Sequence, residues 1–188
     1  MKKMTKAIFL DRDGTINKEV NGVTNTKLLT LLPDAARAIK EMKRRGFLMF
    51  IVTNQAVVAR GYITEARLGD IHKELLRRLR KNGAEIDGVY VCPHHATEGV
   101  GQYKKKCSCR KPRPGLIKKA LRQFAIDPSQ SFFIGDMTTD ILTGKRAGLK
   151  TILLETGHGG KDGRYAIAPD YRAKNLLDAV SVISREKS

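Results

Sequence analysis

Two aspartates near the N-terminus have the spacing of a paired-carboxylate site, in the stretch Asp11-Arg12-Asp13-Gly14-Thr15. They follow residues 7–10, a short apolar run that predicts a buried β-strand. One carboxylate of such a pair can attack an electrophile while its neighbour transfers a proton, and the pair can bind a divalent cation. Taken by itself, the segment also fits the simpler interpretation of an acidic turn after a strand.

Two further segments carry groups suited to phosphate. Thr53, Asn54 and Gln55 offer a hydroxyl and amides, which are neutral donors for phosphate oxygens, although a polar turn explains them equally well. Arg110 and Lys111 add two cations in a loop. A lysine can neutralise phosphate and steady a nucleophilic carboxylate, while the planar fork of an arginine binds phosphate through two donors.

Short apolar runs alternate with amphipathic segments along the chain. The predicted strands cover residues 7–10, 47–52, 89–91, 131–134 and 151–154, and the predicted helices begin near Pro33, Thr64, Pro114, Thr138 and Leu176. Alternating strands and helices imply right-handed crossovers and a parallel sheet. We therefore expect an α/β fold of three layers, a Rossmann-like parallel sheet with helices on both faces and no large cap domain.

Acidic and polar residues follow several of these strands. Asp11 and Asp13 follow the first, Thr53 follows the second and Asp136 follows the fourth. Asp140 lies one helical turn beyond Asp136, where it can orient a metal ligand, although an aspartate there can also cap a helix. Because parallel sheets bind ligands beyond the carboxyl ends of their strands, we expect these residues to share one site.

These segments, in this order, resemble the four signature motifs of the haloacid-dehalogenase-type phosphotransferases. The resemblance implies that Asp11 attacks phosphorus and becomes an aspartyl phosphate. It implies that Asp13 first protonates the leaving alcohol and then activates the water that hydrolyses the intermediate. Thr53, Asn54 and Lys111 are implied to hold the phosphoryl group.

The same resemblance implies a Mg²⁺ site formed by Asp11, Asp136 and the backbone carbonyl of Asp13. Asp140 is implied to orient this site without binding the ion directly. Phosphoryl transfer depends mainly on positioning and charge neutralisation, and magnesium with a lysine supplies both. The alternative is a metal-binding module without catalysis, which has no use for a nucleophile at Asp11. A basic nucleic-acid-binding zinc protein is a further alternative, and it leaves the acids at the strand ends unexplained.

A second metal site is indicated by the cysteines, all three of which fall between positions 92 and 109. Cys92, His94, Cys107 and Cys109 make a complete tetrahedral set of zinc ligands. His95 in place of His94, or reduced surface cysteines without metal, are the alternatives. We expect a structural zinc to hold an insertion at about 92–110 and to fix the two cations that immediately follow it.

This zinc loop resembles a branch of the family that contains the heptose 1,7-bisphosphate 7-phosphatases and the histidinol-phosphate phosphatases. The heptose branch implies Mg²⁺-dependent hydrolysis of the C7 phosphate of D-glycero-D-manno-heptose 1,7-bisphosphate, for bacterial surface polysaccharides. Arg110 is implied to contact the non-reacting phosphate, with Arg60 and Gln55 as further substrate-binding candidates. Met137 and the loop Ala56-Val57-Val58 depart from the usual pattern of that branch. Histidinol phosphate therefore remains an alternative substrate, and a nucleic-acid 3′ end is a less favoured one.

The composition of the 188 residues, 41% hydrophobic and 29% charged, predicts one globular domain over residues 1–188. No apolar run is long enough for a membrane span, and the one after the basic N-terminus is too short for a signal peptide. We expect a cytoplasmic monomer without membrane partners. The net charge of +17 favours anionic ligands, but 6% aromatic residues and no tryptophan disfavour nucleic acid. A small phosphorylated sugar is the expected partner.

Overall fold

One parallel sheet organises the computed structural model, which describes residues 4–186. Within these residues the strands are β1 (Ala7–Leu10), β2 (Leu48–Asn54), β3 (Gly88–Cys92), β4 (Phe132–Gly135), β5 (Lys150–Leu154) and β6 (Tyr171–Ala173). Their order is β3-β2-β1-β4-β5-β6, and every neighbouring pair is parallel. Residues 1–3 of the basic N-terminal segment lie outside the described residues.

Helices cover both faces of the sheet. They are α1 (Ala35–Arg44), α2 (Ala56–Ala59), α3 (Glu65–Lys81), α4 (Gly115–Phe124), α5 (Thr138–Arg146) and α6 (Leu176–Arg185). Successive strand residues point to opposite faces. Ile8 and Leu10 pack with buried residues of α1, α3 and α6, whereas Ala7 and Phe9 pack with buried residues of α4. The predicted three-layer α/β fold is confirmed.

The helices begin close to the positions that their capping residues predict. The hydroxyl of Thr64 accepts a hydrogen bond from Arg67 N (3.1 Å) at the start of α3. Arg78, Arg80 and Lys81 occupy its last turn, where positive charge suits the helix dipole. Over residues 4–186, no helix has both the length and the apolar character that crossing a membrane requires.

Three details of the elements differ from the sequence-based expectation. The strand β2 continues to Asn54, so Thr53 and Asn54 lie within it and pair with β3, instead of following it. The sequence pattern does not predict α2, which is a single turn, or β6, which has three residues and a polar Arg172 at its centre. Elements this short carry too few residues for a periodic signal.

Candidate active site

The carboxyl ends of β1, β2 and β4 surround a cavity. Because β1 lies between β2 and β4 and the chain runs outward in both directions from it, this edge is the topological switch point of the sheet. The cavity has a volume of about 230 Å³. The predicted site residues that line it are Asp11, Asp13, Thr53, Asn54, Gln55, Arg60, Arg110, Lys111 and Asp140. Asp136 lies fully buried next to them.

Three buried carboxylates converge at the base of the cavity. Asp11, Asp136 and Asp140 each place an oxygen within 4.8 Å of the others. Oδ2 of Asp136 accepts the backbone N–H of His158 at 2.7 Å, while its Oδ1 is buried without a hydrogen-bond partner. Burial, together with the charges of Asp11 and Asp140, raises the pKa of Asp136 to about 8. Concentrated negative charge with an unpaired buried oxygen fits a divalent cation.

Among residues 4–186, Lys111 is the only lysine that forms ion pairs with these carboxylates. Its Nζ lies 2.9 Å from Oδ1 of Asp11 and 2.7 Å from Oδ1 of Asp140. Burial by itself lowers the pKa of Lys111, but the two carboxylates outweigh that effect and the net shift is upward. Lys111 is therefore charged and lies directly beside the predicted nucleophile.

Asn54 positions the backbone of Lys111. The backbone N–H of Lys111 donates to Oδ1 of Asn54 at 3.0 Å, and Nδ2 of Asn54 donates to the carbonyl of Lys111 at 3.2 Å. This reciprocal pair ties the end of β2 to the loop that carries the lysine. The amide that the sequence assigned to phosphate binding thus also has a structural partner.

Asp13 is held by a network that the sequence did not indicate. Nη2 of the fully buried Arg12 donates to both of its carboxylate oxygens, at 2.9 and 2.8 Å. Asn17 Nδ2 donates to Oδ1 at 2.8 Å. On its other side, Arg12 Nη1 lies 3.1 Å from Nε2 of His72, a residue of α3. Asp13 is consequently an oriented carboxylate rather than a mobile surface acid.

Gln55 belongs to the same network. Its Nε2 donates to Oδ2 of Asp13 and to Oγ1 of Thr53, both at 2.8 Å, and its Oε1 accepts from Arg12 at 2.9 Å. Both amide hydrogens and the carbonyl oxygen therefore have protein partners. The sequence predicted a substrate contact for Gln55, which lines the cavity, and this geometry shows that Gln55 also holds Asp13.

The cysteine and histidine side chains of the predicted zinc set also meet. The Sγ atoms of Cys92, Cys107 and Cys109 lie 3.1–3.6 Å from one another, and Nδ1 of His94 lies 3.4 Å from Cys109 and 3.8 Å from Cys92. Ligands around a tetrahedral zinc with bonds of about 2.3 Å lie about 3.8 Å apart, and disulfide sulfurs about 2.05 Å apart. These distances fit four ligands around a single metal ion, and they exclude disulfides among the three cysteines.

His95 has a different role from its neighbour. Its Nδ1 accepts the backbone N–H of Glu98 at 3.0 Å and so helps to fold the loop after β3. His94, which the sequence favoured over His95 as the fourth ligand, is the histidine that lies with the cysteines. The loop continues from Cys109 directly into Arg110 and Lys111, so the cluster sits immediately next to the cavity residues.

Three arginines border the cavity. Nη1 of Arg110 donates to the carbonyl of His94 at 2.9 Å, and Arg60 pairs with Glu98 at 2.6 Å. Arg164 also lines the cavity, and nothing in the sequence singled it out. Burial lowers the pKa of Arg110, and the charges of Arg164 and Arg60 lower it further. A cluster of cations that repel one another favours a bound anion.

Comparison with known proteins identifies the family. The chain is 40% identical to the D-glycero-β-D-manno-heptose-1,7-bisphosphate 7-phosphatase of Pasteurella multocida, over 98% of this chain and all of that protein. The identity to the Haemophilus influenzae protein of the same name is 36%, with the same coverage. A family model described as HAD-hydrolase-like matches residues 108–179. The chain belongs to the haloacid-dehalogenase-like phosphatases.

A solved structure of this family shares the architecture. The D,D-heptose 1,7-bisphosphate phosphatase from B. bronchiseptica, complexed with magnesium and phosphate, superposes with a TM-score of 0.86. It is 28% identical, and the alignment covers 96% of this chain and 99% of the other. The resemblance deduced from the sequence motifs is thereby confirmed, and this haloacid-dehalogenase-like phosphatase is a phosphoric monoester hydrolase.

Proposed function

We propose that this phosphatase hydrolyses the C7 phosphate of D-glycero-D-manno-heptose 1,7-bisphosphate through an aspartyl-phosphate intermediate. The observation that carries the proposal is the buried cluster in which Lys111 bridges Asp11 and Asp140 beside the unpaired oxygen of Asp136. The names of the relatives with 36–40% identity support the choice of substrate.

In the first step Asp11 attacks phosphorus, and the bond between phosphorus and the C7 oxygen breaks. Asp13, which lines the cavity, gives a proton to the leaving oxygen. In the second step Asp13 takes a proton from water, which attacks the aspartyl phosphate and releases inorganic phosphate and free Asp11. Lys111 offsets the charge of the nucleophile and of the phosphoryl oxygens, with Thr53 and Asn54 as neutral donors.

Two metals complete the proposal. Asp11, Asp136 and the backbone carbonyl of Asp13 would hold Mg²⁺, which neutralises charge on the phosphoryl group when bound, and Asp140 would orient the site through Lys111. The buried, unpaired Oδ1 of Asp136 supports a cation at these residues.

The zinc belongs to the loop between β3 and α4. Cys92, His94, Cys107 and Cys109 would hold it in a closed structural site, since all four positions of the tetrahedron are filled by protein atoms. Its contribution to catalysis is indirect, because it fixes the chain that leads into Arg110. Thiolate ligands of this kind need reduced cysteines, which supports a cytoplasmic location.

The substrate's second phosphate would lie against Arg110, with Arg60 as an additional contact. This cationic side of the cavity disfavours the amine of histidinol phosphate, and a volume of about 230 Å³ suits a small sugar phosphate better than a nucleic-acid end. All the residues named lie around one sheet, which supports a single domain over residues 1–188, and we propose that it acts as a monomer.

The test compares kcat/KM for heptose 1,7-bisphosphate, histidinol phosphate and a 3′-phosphorylated oligonucleotide. We expect the heptose bisphosphate to be preferred by at least about 100-fold, since among the three it alone carries a second phosphomonoester on a small sugar, within reach of the arginines. A clear preference for either of the others would overturn the proposed substrate. Asp11→Asn should abolish turnover of every substrate and leave the circular dichroism unchanged, and full activity of this variant would refute the mechanism.

A further inference from the structure

The segment that follows β5 lies across the catalytic edge of the sheet. We call residues 156–162 the strap. At its start, Oγ1 of Thr156 donates to the carbonyl of Gly14 at 2.7 Å. At its end, the carboxylate of Asp162 accepts the backbone N–H of Thr138 at 2.8 Å and the hydroxyl of Thr138 at 2.7 Å. The strap therefore joins the turn after β1 to the first residue of α5.

Between these two anchors the strap contacts Asp136 directly. The backbone N–H of Gly160 donates to the carbonyl of Asp136, and the backbone N–H of His158 donates to its Oδ2, both at 2.7 Å. With Oδ2 engaged in this way, Oδ1 is the oxygen left buried and unpaired. The strap thus fixes both the main chain and the side-chain rotamer of this aspartate.

Asp136 also has almost no space in which to move. A Cβ atom added at Gly14 would lie 2.3 Å from its Oδ2, and one added at Gly157 would lie 2.2 Å from the same oxygen. At both positions φ is positive, +74° and +57°. Glycine is thus required at position 157 twice over, for its backbone conformation and for the close approach of the carboxylate.

We propose that the strap is the positioning element for the magnesium ligand Asp136, with the N–H of His158 presenting the carboxylate and Gly157 providing the space. This inference rests on the proposed function in one respect, the assignment of Asp136 as a ligand. It gives a role to the glycine-rich stretch at residues 157–160.

The chain supplies a matched control for the test. Gly163 has φ of +62°, nearly the same conformation as Gly157, but a Cβ there would meet nothing within 4 Å. Gly157→Ala and Gly163→Ala therefore impose the same backbone strain, and only the first displaces Asp136. Thr156→Val removes the hydrogen bond to Gly14 without adding bulk. If Gly157→Ala does not fold, Thr156→Val provides the test of the strap.

The measurement is Mn²⁺ binding, followed by electron paramagnetic resonance on the zinc-loaded protein without substrate. We expect Gly157→Ala to weaken binding by about tenfold or more, Thr156→Val to weaken it by about threefold, and Gly163→Ala to leave it within about twofold. In p-nitrophenyl phosphate turnover, the Mg²⁺ concentration for half-maximal rate should rise for Gly157→Ala while kcat at saturating Mg²⁺ recovers. If the strap had a purely structural role, raising the Mg²⁺ concentration would not restore kcat.

Two outcomes overturn the inference, and they are distinguishable. If Asp136→Asn abolishes Mn²⁺ binding but Gly157→Ala or Thr156→Val binds as tightly as Gly163→Ala, the strap does not position the ligand. If wild type and Asp136→Asn bind Mn²⁺ equally, the assignment of Asp136 fails, and the strap's role and that part of the proposed function fail together.

Discussion

The buried histidine behind Asp13 makes the stability of the protein sensitive to acid. His72 is 8% exposed, and its Nε2 lies 3.1 Å from Nη1 of Arg12. A guanidinium has only donors, so the ring nitrogen must accept, and His72 is neutral with its hydrogen on Nδ1. Burial, and then the charge of Arg12, lower the pKa of His72 to about 4.

The size and sign of the effect follow from this shift. In the unfolded chain His72 titrates near 6.5, so on acidification the unfolded state binds the proton first. The stability that the neutral ring contributes is complete above pH 6.5 and is lost as pH falls towards 4. The linkage relation gives a loss of about 2 kcal/mol between pH 8 and pH 5, and a limit of about 3 kcal/mol below pH 4.

Urea unfolding of wild type and His72→Gln at several pH values between 5 and 8 measures this term. The glutamine oxygen can still accept from Arg12 but does not titrate, so wild type should lose about 2 kcal/mol more than the variant over this range. The buried carboxylates and the zinc ligands titrate in both proteins and cancel in the difference. Parallel pH profiles for the two proteins would refute the neutral, accepting His72.

Two further predictions concern the cations that reach the cavity through the zinc loop. Lys111→Met removes the charge between Asp11 and Asp140 while keeping most of the volume, so kcat for p-nitrophenyl phosphate should fall by about 100-fold or more, with Lys104→Met as a control that retains activity. Removal of zinc with a chelator should lower both the melting temperature and kcat/KM, because Cys109 directly precedes Arg110, and re-addition of zinc should restore both. Metal analysis that finds no zinc in protein purified without chelator would contradict the second prediction.

The positions of the proposed catalytic residues could be predicted because the fold constrains them strongly. Once strands and helices alternate, every strand is parallel, and residues that follow different strands meet at one edge. Asp11, Asp136 and Lys111 come together for this reason, although 125 positions separate Asp11 from Asp136 in the sequence. The four proposed zinc ligands lie close together in the sequence, so their spacing alone was sufficient to predict that they meet.

The roles of the amides could not be predicted in the same way. Asn54 ends β2 and Gln55 follows it, but an amide offers both donors and an acceptor, and its partners depend on which side chains pack beside it. One partner of Gln55 is Arg12, which in turn contacts His72 of α3, 60 residues further along the chain. No local pattern carries that information.

The strap was invisible to sequence reasoning for a more basic reason. It binds Asp136 through backbone N–H groups, which nearly every residue possesses, so the contact leaves no side-chain signature. The indirect signal was steric, since four glycines lie between positions 157 and 163 and all have positive φ. Glycines required by the close approach of a neighbour can be recognised only when the neighbour is known.

Charge balance connects these observations to the need for a metal. Asp13 has Arg12 as its own partner, and Asp11 and Asp140 share Lys111, so one ammonium faces two carboxylates. Among residues 4–186, no cationic side chain forms an ion pair with Asp136, and its carboxylate accepts a hydrogen bond only from a neutral backbone N–H. Uncompensated charge in a buried site is costly, and for Asp136 that cost appears as the raised pKa. A divalent cation held by Asp11 and Asp136 would supply the positive charge that the described side chains lack at this point, and it would reduce the repulsion between the proposed nucleophile Asp11 and a phosphoryl dianion.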